Sequence, residues 1–189
     1  MSEQERTLSE FFKYFFATLC SWKSIMEQIS LFLSPIFRQC EQLRLCERVQ
    51  LDEKFLQKFP CVKTKLLGKI RLGIEEEISS VSKLEEEMKS HVDGLKTRLT
   101  SVEKAFLKSK NEESSDINPL IPSFDDLFEH ASDIWKCFHI LWMGLKTSIE
   151  TVNYSSKSSV NKISESLQKF EKFEHHFNYI ADLTQYLRT

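Results

Sequence analysis

The chain has 189 residues, a formal net charge of −2, 41% hydrophobic and 29% charged residues. That length suits one ordinary domain or one elongated helical module, and the hydrophobic share excludes a mainly disordered chain. A charge this close to balance gives no electrostatic reason to expect nucleic acid or an anionic membrane as a partner. Only four glycines and four prolines interrupt a sequence rich in Leu, Glu, Lys and Ser. So few breakers among so many helix formers predict an all-α protein with long helices.

The first apolar stretch, LSEFFKYFFATLCSW at residues 8–22, has the density of an export signal or a membrane anchor. Glu3 and Glu5 precede it and Lys13 interrupts it, against the basic start and unbroken core of a signal. Lys23 and Glu27 close the window before the roughly 20 apolar residues that a membrane span needs. Its spacing fits a packed helix instead. Leu8, Phe12, Phe15, Leu19, Trp22, Met26, Ile29, Leu33, Ile36, Cys40 and Leu43 step alternately by four and three, a heptad seam. At 1.5 Å per residue the seam runs roughly 50 Å. Phe11, Phe16, Ile25, Phe32 and Phe37 broaden it to the width expected inside a bundle. Pro35 is expected to kink or divide this helix.

Residues 47–60 read as a connection with one short helical turn, ended by Phe59-Pro60 because the residue before proline avoids the α region. A second long helix is predicted over residues 62–106. Its seam is Val62, Leu66, Ile70, Ile74, Ile78, Val81, Leu84, Met88, Val92, Leu95, Leu99, Val102 and Phe106, with Gly68, Gly73 and Gly94 as weak points. At about 65 to 70 Å it outruns short neighbours, so part of it is expected to project. KSKNEESSDINPLIP then breaks the pattern as a linker. Ser123 stands three residues before Asp126, a capping-box-like start with Asp in place of Glu. The third long helix carries Phe124, Leu127, Phe128, Ala131, Ile134, Trp135, Phe138, Leu141, Trp142, Leu145 and Ile149. Residues 155–159 supply a turn and cap. The fourth helix follows with Val160, Ile163, Leu167, Phe170, Phe177, Ile180, Leu183 and Leu187. The predicted fold is an elongated, coiled-coil-like helical bundle of two long hairpins: residues 1–108, a flexible linker at 109–122, and residues 123–189.

Little in the sequence carries chemistry. GKIRLG at 68–73 lacks the Gly-Lys-Ser/Thr ending of a phosphate loop, and neither a G-x-S-x-G elbow nor H-E-x-x-H occurs. Five cysteines, at 20, 40, 46, 61 and 137, include no CxxC pair, so reduced thiols packed as small apolar residues are expected. Glu171 and His175 could share a metal on one helix, but two ligands do not close a site. No catalytic residue, cofactor or metal is expected. Lys63, Lys65, Lys69 and Arg71 form a basic cluster that could meet RNA phosphate or an acidic protein face, with a solvated helix face as the simpler reading. Trp135, Phe138, Leu141 and Trp142 nearly encircle their helix, and partner contact fits there as well as intramolecular core.

Several residues occur in a familiar order. Trp22-x-Ser24 is followed by Glu41-Gln42-Leu43, then Phe59-Pro60-x-x-Lys63-x-x-Leu66-x-x-Lys69. After the linker come Pro122-Ser123-x-x-Asp126-x-x-Glu129-x-x-x-Asp133-Ile134 and finally Glu174-His175. The order and gaps resemble the AIRIM family of ribosome-maturation factors, from about Phe12 to Leu187. Here Cys137, Ile140, Leu141, Trp142 and Gly144 make apolar a stretch that is basic and tyrosine-rich in that family. The resemblance implies a non-catalytic helical adaptor that pairs with a CINP-like helical protein and docks on AAA+ ATPases. It implies work on cytoplasmic precursors of the large ribosomal subunit, contact with those particles being indirect, and a presence in cytoplasm and nucleus. Candidate partner-binding residues are Trp22, Phe59, Pro60, Lys63, Phe124, Asp126, Glu129, Asp133, Ile134, Trp135 and Trp142. A CINP-like subunit of the same assembly, a generic coiled-coil scaffold and a secreted four-helix cytokine are the alternatives.

Overall fold

A computed structural model describes residues 3–109 and 122–187. Five α-helices follow in order: α1 (Glu3–Arg48), α2 (Glu53–Lys58), α3 (Val62–Ser109), α4 (Phe124–Glu150) and α5 (Lys157–Leu183), with a 3-10 turn at Gln185–Leu187. The fold is all-α, with long helices packed on one another. Residues 110–121, most of the expected linker, lie outside the described residues. No described helix is long and apolar enough to cross a membrane.

Two compact units divide the chain, and each draws on all four long helices. The first comprises the described residues within Met1–Ser24, Glu87–Met143 and Lys169–Thr189. Its core is aromatic: Phe15, Trp22, Phe138, Phe170 and Phe177 are buried, with centroids of 4.5 Å for Trp22–Phe138 and 4.6 Å for Phe138–Phe177. The second unit spans Ile25–Glu86 and Gly144–Gln168 and is aliphatic, with Ile29, Leu33, Ile36, Leu43, Ile74, Val81 and Ile163 buried. Within it Ser148 Oγ and Ser166 Oγ hydrogen-bond at 2.8 Å. That contact satisfies two polar groups that burial would otherwise penalise.

The α1 seam is buried at every predicted position except Met26, which is half-buried. Pro35 neither ends nor divides α1, which continues through it, a correction to the expected division. The ladder bond lost at Pro35 is the one to the carbonyl of residue i−4, here Leu31. That residue is among the most exposed in the helix, so water can replace the missing N–H. The α3 seam is buried from Ile74 to Val102 apart from Leu84, while Phe106 at its end is half-buried and Val62, Leu66 and Ile70 are half-buried or exposed. The pattern therefore begins three seam positions before its cover does. Among the cysteines only Cys40 is buried, while Cys20 and Cys61 are exposed. Packing as small apolar residues thus holds for Cys40 and fails for those two.

Two glycines in α3 differ in a testable way. A Cβ on Gly94 would fall inside the Tyr14 phenol, 2.5 Å from its Cζ, and that ring is held under the Arg98 guanidinium at 3.7 Å. A Cβ on Gly68 meets nothing within 4 Å. Gly68→Ala is expected to raise stability by about 0.5–1 kcal/mol through helix propensity. Gly94→Ala is expected to lower it, and to become stabilising in a Tyr14→Ala background. Denaturant midpoints for the double-mutant cycle check both signs.

Candidate functional site

Two surfaces hold most of the exposed candidate residues. The first is the corner where α1 ends, α2 follows and α3 begins, all within the second unit. Its frame is built on Glu47. Lys63 Nζ donates to the Glu47 and Val49 carbonyls at 3.1 and 2.7 Å, placing a cation on carbonyls that the end of α1 leaves unpaired. Arg71 Nη2 and Ser155 Oγ donate to Glu47 Oε1 at 3.1 and 3.2 Å. Lys63 and Arg71 therefore hold the corner together. Lys65 and Lys69 are exposed, and among the described residues neither joins an ion pair.

The connection between α1 and α3 buries nothing in its helical turn: no residue of α2 is buried. Phe59 closes the turn, its N–H donating to the Phe55 carbonyl at 2.9 Å and its carbonyl accepting the Val62 N–H at 3.2 Å. The two phenyl rings stand 5.2 Å apart, and Phe59 is 53% exposed. Pro60 and Cys61 are exposed beside it.

The second surface opens α4 in the first unit. Ser123 and Asp126 form the expected reciprocal cap. Ser123 donates its N–H and Oγ–H to Asp126 Oδ2 at 3.1 and 2.7 Å, and the Asp126 N–H donates to Ser123 Oγ at 3.2 Å. Those bonds, the side-chain one first, hold the Asp126 carboxyl below the usual aspartate range. Since the folded value is depressed, this stabilisation is present above the unfolded value and is lost as pH falls through the folded one. Protection factors of the first-turn amides of α4, exchange rates corrected for their intrinsic pH dependence, are therefore expected to fall at acid pH, and Asp126→Ala to remove that dependence. Glu129 and Asp133 lie one and two turns further along the same face as Asp126. Glu129 is exposed, and Asp133 pairs with Lys136 at 3.1 Å. Phe124 stacks on Phe106 with centroids 5.7 Å apart, joining the described residues on both sides of the 110–121 segment.

The other candidates lie deeper. Trp22 and Ile134 are fully buried and Trp142 nearly so. Trp135 is half-buried beneath Lys96 Nζ, which sits 4.2 Å from the ring centroid. The motif pair at the chain's end meets the motif at its start: Lys23 Nζ bonds Glu174 Oε1 at 2.8 Å and holds that carboxyl below its usual range. Glu171 and His175 are exposed, and no third metal-ligating side chain joins them among the described residues. A cavity of about 250 Å³ is lined by Phe37, Glu41, Arg44, Lys157, Val160 and Asn161, with Arg44 already bonded to Glu41. It brings no nucleophile to a base. Sequence spacing missed the exposure of Phe55 and Leu72. Phe55 was legible as the residue four before Phe59, whereas nothing in the spacing marks Leu72.

Long packed helices, with candidate groups on helix surfaces rather than around a reactive pocket, define an all-helical protein of surface chemistry. A family model described as CA109-like, ribosome biogenesis protein C1orf109-like, matches residues 4–184. The chain belongs to this ribosome biogenesis family, which is the AIRIM family of the motif resemblance. No curated protein sequence matches the chain.

Proposed function

We propose that this chain is a non-catalytic adaptor subunit of an AAA+ ATPase assembly that matures the large ribosomal subunit in the cytoplasm. It binds the ATPases and a CINP-like helical protein through helix faces, meets pre-ribosomal particles only indirectly, and is present in cytoplasm and nucleus. The observation that carries this reading is the family match over residues 4–184, joined to the collinear motifs that resemble AIRIM. Surface geometry supports it. Helices supply preset faces, so little ordering free energy is spent when a partner docks. The exposed candidates Phe59, Pro60, Asp126 and Glu129 lie on helix ends and outer faces where a partner can reach them.

Affinity purification of the tagged chain followed by mass spectrometry tests the proposal. An AAA+ ATPase and a second helical protein are expected to co-purify, and depletion is expected to leave large-subunit precursors in the cytoplasm. Intact complexes without any AAA+ subunit, together with normal large-subunit maturation after depletion, would overturn it.

A further inference from the structure

We infer that the corner made by the end of α1, α2 and the opening turns of α3 is a docking surface for an acidic, amphipathic segment of a partner protein. This deepens the adaptor reading, and rests on it only for the existence of a partner.

The first observation is a seam without cover. Val62, Leu66 and Ile70 continue the stepping by four that is buried from Ile74 onward, yet Leu66 is 47% exposed. A helix of six residues is too short to hold itself by backbone bonds alone, and α2 buries none of its residues. Phe55 and Phe59, one turn apart in the connection that leads into that seam, form a single exposed apolar pair. The patch thus has the spacing of a helix interface on both sides of Pro60, and the described residues leave Leu66, Phe55 and Phe59 exposed on it.

Charge then selects the occupant. Residues 47–71 carry seven Lys or Arg against three Asp or Glu, a local net charge of +4 in a chain whose total is −2. Lys63 and Arg71 are engaged within the corner. Lys54, Lys58, Lys65 and Lys69 are exposed and join no ion pair among the described residues. An apolar centre with a cationic rim complements a segment that alternates apolar anchors with carboxylates, which both steer it and fix its register. The sign reverses at Glu75-Glu76-Glu77, so the acidic part of the occupant ends near Lys69 and Arg71. Single-stranded RNA would meet the same lysines, but it needs open aromatic faces for its bases. Here one tilted phenyl pair stands beside aliphatic residues, which is no run of rings for successive bases to stack on.

The test uses the purified full chain and three probes. These are a fluorescent peptide with Leu at i, i+3, i+4 and i+7 and Glu elsewhere, its Lys-for-Glu counterpart, and oligouridylate. The Glu peptide is expected to bind and to shift amide resonances across residues 55–69, the Lys peptide to bind much more weakly. Lys65→Glu with Lys69→Glu is expected to weaken the Glu peptide about tenfold or more and to gain the Lys peptide, a gain that a misfolded chain would not show. Phe55→Ser with Phe59→Ser is expected to weaken the Glu peptide about tenfold, without loss of stability because α2 buries nothing. Equal binding of both peptides would overturn the inference, as would charge reversals without effect. So would tighter oligouridylate binding through the same lysines, or a self-associated chain that those reversals dissociate. No ATPase is in the assay, so its failure is separate from failure of the purification experiment.

Discussion

Trp22→Ala is expected to lower the unfolding free energy by about 3–5 kcal/mol, the range for deleting a large buried aromatic ring. Trp22 is fully buried, with Phe138 at 4.5 Å in edge-on contact and Phe170 at 6.1 Å. Phe138 in turn contacts Phe15 and Phe177, so the cavity opens at the centre of a ring cluster that cannot easily collapse. Aromatic pairs add about 0.5–1.5 kcal/mol each beyond area burial. The indole Nε1 is buried and has no hydrogen-bond partner among the described residues. Trp22→Phe keeps an aromatic ring and leaves a smaller cavity, and is expected to cost markedly less than Trp22→Ala. Phe59→Ala, at an exposed position of the same motif set, is expected to stay within about 0.5 kcal/mol. Urea midpoints at constant m-value measure all three. A Trp22→Ala loss no larger than that of Phe59→Ala would show that the ring cluster is not the core of its unit.

Leu33→Glu is expected to cost about 3–5 kcal/mol, as an uncompensated buried charge does. Leu33 is 6% exposed, between Ile29 and Ile36, which are fully buried. Leu31→Glu is the matched control. It adds the same group to the same turn of α1 at a residue that is 74% exposed, and is expected to change stability by no more than about 0.5 kcal/mol. Thermal melts separate the two, since in a chain of this size each kcal/mol moves the midpoint by about 2–4 °C. Equal shifts for both variants would mean that the heptad register of α1 is wrong.

Much of this fold was legible because helix burial follows a simple period. Phe12, Phe15, Leu19, Trp22 and Leu33 were assigned to the core by spacing alone, and burial agrees. The Ser123–Asp126 cap was legible because its bonds are local in sequence. What spacing cannot encode is which neighbour lies opposite. Periodicity runs through Val62, Leu66 and Ile70 without a change, while the cover begins only at Ile74. The basic cluster read as one group divides in the fold, since Lys63 and Arg71 bind the α1 terminus and Lys65 and Lys69 stay in solvent. The approach of Tyr14 to Gly94 joins residues eighty apart in the chain, beyond any local signal. Pro35 shows the reverse limit, a local breaker rule overridden by packing on both sides of it.

The opening of α3 also governs how the chain behaves in solution before any other molecule meets it. Leu66, exposed at the head of that helix's apolar strip, would be sticky in an uncharged setting, because exposed apolar helix faces pair with whatever apolar surface they encounter. Lysine at 63, 65 and 69 is interleaved with the strip's apolar residues, and two such strips brought face to face repel one another. The lysines therefore act as gatekeepers against indiscriminate clustering. They keep the strip dispersed in water, at a penalty that only an oppositely charged visitor removes.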